Sequence, residues 1–298
     1  MEDRALVEAP VGESGTTQAE GRYLYGIIAG GEIARLGPIG IDGNEVYTIF
    51  YKELCAIVHN CPLEPYQSHD DKTVKNWVRA HQNVMDAAKE RFDTVIPLGF
   101  DTILRPKDDS TSPDQAVKDW LKEDYDRLLA VMKRIKDRDE YGVQIFYDPK
   151  VMGETVVKKS KEIGKLQEEI ATKSPGLAYM YKQKLEKAVK AEMEKLAEDW
   201  FKDFYNRTKK YTDDIVVEKT KKTDKGNVML TNFSCLVARE KVESLGKELE
   251  EINNLEGFLV RFTGPWPPYS FVSKPIEAAS VTEESTIHRH GGKVGNKK

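Results

Sequence analysis

The apolar residues of this chain change period several times, and that switching narrows the fold class more than any single motif. Arg22–Ala29, RYLYGIIA, is rich in β-branched and aromatic side chains and ends at Gly30-Gly31, the pattern of a strand followed by a turn. A glycine-rich connector, GPIGIDG, leads to two runs, Glu45–Phe50 and Leu54–His59, that read as a strand pair joined through Tyr51–Glu53. Pro62 and Pro65 then break regular structure. From Val74 the spacing becomes three and four: Val74, Trp77, Val78, His81, Val84, Met85 and Ala88 share one face of a 3.6-residue helix. DTVIPLGF is a short buried strand, which Pro97 confines to an edge or a bulge because proline cannot donate to a ladder. Ser112-Pro113-Asp114-Gln115 supplies a cap, a first-position proline and a glutamine three residues after the cap. The helix it starts carries Val117, Leu121, Tyr125, Leu128, Met132 and Ile135 on one face, and EYGVQIFYD closes the region as a strand. Strand, strand pair, helix, strand, helix, strand suits an α+β unit, a modified ferredoxin-like sandwich with helices on one face of the sheet.

From about Lys150 the pattern is polar and helix-prone until Pro175-Gly176. A long helix follows, with Tyr181, Leu185, Val189, Met193, Leu196, Trp200 and Phe204 at steps of four and three. Its stripe widens into aromatics at the C-terminal end, which predicts that this end enters a second core. DDIVVEK and NVMLTNFSCLVA read as strands, Val242, Leu245, Leu249 and Ile252 as a helix face, and EGFLVRFTG as the last strand. The expected organisation is a disordered leader (1–21), a ferredoxin-like unit (22–148), a second α+β unit with a long helix against a small antiparallel sheet (149–276), and a disordered basic tail (277–298).

The charges nearly balance, at net −4 over 298 residues, which argues against a dedicated nucleic-acid binder. No run approaches the length of a membrane span, the N-terminal stretch lacks a signal-peptide core, and three cysteines are too few for a disulfide framework. Together these predict a cytosolic protein with no lipid-bilayer partner. Cys55, His59, Cys61 and His69 are close in sequence, but their spacing departs from that of structural zinc sites, and Pro62 argues against a strand that would align the first three. His81, within an apolar helix face, could be a general base or a core-edge histidine with hydrogen-bond partners. No G-x-S-x-G, G-x-G-x-x-G or P-loop accompanies it. The lysine-rich second half interleaves its charges with acids, as solvated helices do. The reading is therefore no catalytic residue, no metal and no cofactor.

RFTGPWPPYSFV, Arg261–Val272, is the most constrained stretch. Pro265, Pro267 and Pro268 have no N–H and fixed φ, so the segment cannot be a central strand; it is an extended rod that ends a strand at Phe262 and directs Trp266 and Tyr269. It is either a clasp over a sheet edge, with Trp266 tucked on the core, or a recognition surface. FTGPWPPYSFV resembles the C-terminal signature of the gas vesicle protein F/L family (GvpF/GvpL). The resemblance extends in order through YLYGII, LCAIVHNCP, RAHQNVMDAA, VIPLGFDTIL, EYGVQIF and PGLAYMYKQKLEK, covering about Arg22 to Val272. There are departures: Gly99-Phe100-Asp101 stands where the family has Arg-Phe-Gly, and Leu177 where it has Arg.

The resemblance implies two α+β domains and an accessory or minor structural protein of gas vesicles, one that contacts the small hydrophobic main shell protein and possibly other accessory proteins. Candidate partner-binding residues are Trp200, Phe201 and Phe204 on the long helix and Pro265, Trp266, Pro267, Pro268 and Tyr269 on the rod. The rival readings are a cytosolic enzyme using His81 and a nucleic-acid binder using the lysine-rich half. Oligomeric state and F or L subtype stay open.

Overall fold

The structure is a computed structural model that describes residues 20–30, 34–223 and 226–272. The expected leader (but for its last two residues) and the expected basic tail lie outside the described residues. Two antiparallel sheets carry the fold.

In the first sheet, β1 (Glu20–Ala29) lies between β4 (Leu54–Pro62) and β5 (Val95–Pro97). Beyond β4 come β3 (Val46–Tyr51) and the short β2 (Arg35–Gly37), and β6 (Ile103–Leu104) also pairs with β1. A first strand between a hairpin and a later strand is the split arrangement of a ferredoxin-like sheet. It is modified in that a 3-10 turn, Ile41–Gly43, stands in the stretch between β1 and the β3–β4 hairpin. Pro97 ends the edge strand β5, where its missing N–H costs no ladder bond.

The helices do not share one face. α1 (Asp71–Phe92), capped by the Asp70 carboxylate, buries His81, Val84, Met85 and Ala88 over Tyr23, Tyr25, Ile28, Cys55 and Ile57. α2 (Pro113–Glu123) and α3 (Tyr125–Ile135) cover Leu24, Ile27, Ile49, Ala56 and Val58 on the opposite face. That corrects the one-face expectation, and β1 shows why: Gly21 to Ile28 are all buried, as in a strand covered on both sides. The single helix expected from Ser112 is two, because Asp124 leaves helical geometry (φ −106°, ψ 10°). Both pieces still place their apolar residues in the same core. β4 also runs through His59 to Pro62, longer than the sequence pattern indicated.

The second sheet has the order β10-β7-β9-β8, from β7 (Arg138–Tyr147), β8 (Asp214–Val217), β9 (Val228–Ala238) and β10 (Phe258–Trp266). The strand EYGVQIF therefore does not close the first unit. It is a central strand of the second, paired along its length with β9 and along most of it with β10. Three helices, α4 (Pro149–Lys159), α5 (Lys161–Thr172) and the 35-residue α6 (Pro175–Lys209), follow β7. The C-terminal turns of α6 and α7 (Val242–Asn253) cover one sheet face, with Phe204, Leu245, Leu249 and Ile252 packed on Val143, Ile145, Phe233 and Cys235.

Candidate functional site

Strand β10 does not stop at Phe262; it continues through a bulge to Trp266, which pairs with Glu140 of β7. The bulge requires Gly264, whose φ is +126°: a Cβ there would lie 2.8 Å from the Tyr141 ring and 2.9 Å from the Glu140 carbonyl. The Gly264–Pro265 peptide is cis. After Trp266 the chain leaves the second sheet and crosses to the first. Pro267 and Pro268 are buried in the joint among Lys89, Val95, Ile135 and Asp139. A final turn, α8 (Tyr269–Val272), buries Phe271 and inserts Val272 into the core under α2 and α3. The Ser270 N–H and hydroxyl donate to the Glu140 carboxylate at 2.9 and 2.7 Å.

The rod thus divides. Pro267 to Val272 is a clasp that ties the second sheet's edge to the first core. Trp266, expected on the core in that reading, is instead 49% exposed. Leu259 and Phe262 on β10 and Leu255 in the turn before it are exposed as well; by register Leu259 and Trp266 stand on one face of the sheet and Phe262 on the other. The outer edge of β10 is partly closed: the Phe258 N–H donates to the Leu255 carbonyl and the Val260 N–H to the Asn253 side chain. The sequence reading missed Leu255, Leu259 and Phe262; the proline that marks β10 as an edge strand was the available signal.

The aromatics of α6 lie elsewhere. Phe204 is buried, edge-on to Phe258 at 5.1 Å, so it offers no surface. Trp200 meets the same Phe258 ring at 4.6 Å and Phe201 meets Phe233 at 5.8 Å, both half-buried against the core. Trp200, Phe201 and Phe204 are brought together as packing and not joined to the rod's exposed end.

His81 belongs to a buried polar cluster. Tyr23 Oη lies 2.9 Å from His81 Nδ1, and Tyr25 Oη 2.8 Å from His59 Nδ1. Each tyrosine oxygen also accepts a backbone N–H, from Asp101 and Ile41 respectively, both at 3.0 Å. With each phenol donating to its imidazole Nδ1, Nε2–H is left on both rings; the opposite tautomer reverses the donors. His59 Nε2 faces Tyr66 Oη at 3.0 Å and His81 Nε2 faces Tyr269 Oη at 3.3 Å. Burial lowers both histidines to about 4 and raises the four tyrosines. Cys55, His59 and Cys61 do share a face, since β4 continues to Pro62. Among the described residues no group of three or more His, Cys, Asp or Glu side chains is placed to hold a metal. Desolvation pushes the Cys61 and Cys235 thiols up, to about 11 and 12, away from thiolate chemistry. His69 lies exposed before α1.

These features define a class: an α+β protein of two sheets joined by a proline clasp, with His59 and His81 built into packing and exposed apolar side chains at the β10 edge, among other places. The chain belongs to the gas vesicle family described as "Gas vesicle synthesis protein GvpL/GvpF", whose sequence pattern matches residues 21–273. It is 27% identical to gas vesicle protein L1 of Halobacterium salinarum, over 86% of this chain and 91% of that one. Gas vesicle protein L of Haloferax mediterranei is 29% identical over 78% and 72%, and gas vesicle protein F of a Streptomyces species 26% over 84% and 98%. In fold it is similar to the crystal structure of GvpF from an Anabaena species (TM-score 0.68, 19% identity, 86% of this chain and 99% of that one). GvpF from Microcystis aeruginosa is similar too (TM-score 0.60, 15%, 85% and 99%). No helix among the described residues is long and apolar enough to cross a membrane.

Proposed function

We propose that this chain is an accessory protein of gas vesicle assembly that binds the small, hydrophobic main shell protein through the exposed edge of its second sheet. It acts in the cytoplasm at the forming vesicle, with no enzymatic step, and other accessory proteins of the vesicle are further partners. The observation that carries the reading is the pair of exposed apolar side chains Leu259 and Trp266 on one face of the edge strand β10, with Phe262 exposed on its other face and Leu255 in the turn before it. Exposed apolar side chains on an edge strand offer a place to dock, and a subunit destined for a hydrophobic shell needs a cover until it is incorporated. Membership of a family described as synthesis proteins supports a role in building the vesicle. The non-enzymatic reading is supported by His59 and His81, each of whose ring nitrogens faces a tyrosine hydroxyl.

On this reading Pro265 and Trp266 face the partner, while Pro267, Pro268 and Tyr269 hold the edge in place. The test is co-purification of the main shell protein with tagged wild type and with Trp266→Ala, checked for folding by circular dichroism. Capture by wild type alone supports docking at the β10 edge. Equal capture by both moves docking to the apolar groove of Tyr147, Leu185, Val189 and Met193 along α6. Capture by neither removes direct shell-protein binding.

A further inference from the structure

The long helix α6 enters the second core only through its C-terminal turns. It runs 35 residues from Pro175 to Lys209, yet no described residue of it before Phe204 is buried. α4 and α5 pack against it, α4 around Glu192 and Leu196, and leave another strip of its surface uncovered. Leu185, Val189 and Met193, each four residues after the last, line an open apolar groove along that strip, with Tyr147 of β7 on its wall.

The charges beside the strip are ordered. Lys182, Glu186, Lys190 and Glu194 follow at the same four-residue step and alternate in sign, and the last three border the groove. Lys190 and Glu194 lie 3.9 Å apart and mostly in water, so little is lost when they take another partner. A row of plus, minus, plus, minus reads with every sign reversed from its other end. It is therefore complementary to a copy of itself running the opposite way, which is the arrangement a two-fold axis makes. An axis at the level of Ala188 sets Glu186 opposite Lys190 of a second copy and Lys182 opposite its Glu194, each pair formed twice. The same axis sets the second copy's Leu185, Val189 and Met193 at the levels of Ala191, Lys187 and Gln183. Those levels fall midway between the first copy's three apolar side chains or just outside them, so the two rows interleave. One axis satisfies both the charges and the packing. A purely hydrophobic partner would match the apolar strip and make no use of the alternation.

We propose that α6 is a self-association surface, on which two copies of this chain pair antiparallel through Leu185, Val189 and Met193, with the Glu186–Lys190 pairs flanking the two-fold axis. The contact uses no residue of the β10 edge, so it stands whether or not that edge docks the shell protein. It is one helix face against its copy, smaller than a permanent dimer interface, and the association is therefore weak and concentration-dependent.

Sedimentation equilibrium of the full chain between about 1 and 200 µM tests it, and wild type should pass from monomer to dimer within that range. Glu186→Lys and Lys190→Glu should each weaken association about tenfold or more, since each turns two opposite-charge pairs into like-charge pairs. The two substitutions together exchange the signs and should restore association to within about threefold of wild type. Val189→Asp, which sets a charge beside the axis, should be monomeric throughout with its circular dichroism unchanged. Wild type that stays monomeric at the top of the range overturns the proposal, as does a double variant no better than the single ones. A dimer lost in Trp266→Ala and kept in Val189→Asp overturns it too, by placing the contact on β10.

Discussion

At the scale of single residues, His59 and His81 give the chain a defined acid weakness. Burial places both near 4 in the fold, against about 6.5 in the unfolded chain. Between those values the unfolded chain binds protons that the folded one refuses. Stability is therefore greatest above pH 6.5, declines as pH falls toward 4, and gains no further loss from these groups below it. The expected cost is about 2 kcal/mol per histidine at pH 5, read as a lower denaturant midpoint at pH 5.0 than at pH 7.5. Gly264 and Asp101 both sit at positive φ, +126° and +65°. Gly264→Ala places a methyl against Tyr141 and Glu140 at positive φ and should destabilise by about 2 kcal/mol or more in chemical denaturation. Asp101 adopts φ +65°, a conformation aspartate tolerates. Its amide holds Tyr23 and its carboxylate holds the Tyr66 amide, so Asp101→Val should lose about 2 kcal/mol and melt at lower temperature.

Among the elements, the C-terminal end of α6 enters the second core as its widening stripe predicts, and β10 carries the exposed tryptophan. The aromatic end of α6 is core, and Phe204→Ala should cost about 3–5 kcal/mol by urea unfolding. Trp266→Ala on β10 should cost under about 1 kcal/mol, since half of that side chain is already in water. Much of this level could be read from the chain beforehand. The three-and-four spacing of α1, the Ser112 cap and the Pro97 edge each rest on interactions within a few residues, and each appears in the structure. What could not be read is pairing across distance. EYGVQIF has the same alternation whether it joins the first sheet or the second, and only β9 and β10 decide it. The buried run of β1 did carry a sign that both faces are covered, because a strand with a wet face alternates and this one does not. His81 was visible on an apolar helix face, but its partners Tyr23 and Tyr269 come from other segments and leave no local trace. Trp266 was visible as a constrained aromatic, whereas its exposure depends on the bulge at Gly264.

For the whole molecule, the two sheets are joined by charges as well as by the clasp. Asp139 is buried and binds both Lys89 of α1 and Arg239, while Arg239 also reaches Asp93, and Arg134 of α3 binds Asp214 of β8. Removing Asp139 takes a buried carboxylate from the part-exposed Lys89 and Arg239, of which Arg239 keeps Asp93. Asp139→Ala should therefore destabilise by about 2–4 kcal/mol, against less than about 1 kcal/mol for Asp93→Ala at the exposed end, compared by thermal melts at one salt concentration. Such a joint keeps the β10 edge in a fixed position relative to the first sheet, which is the condition for using it as a docking line. The most direct test of that use is a binding isotherm of the purified chain on the main shell protein, wild type beside Trp266→Ala, with melting temperatures measured on the same samples. Binding weakened at least about tenfold, with the melting temperature unchanged, is the predicted result, because an anchoring tryptophan carries more than 1.4 kcal/mol of an interface. Equal affinities in the two proteins would contradict it.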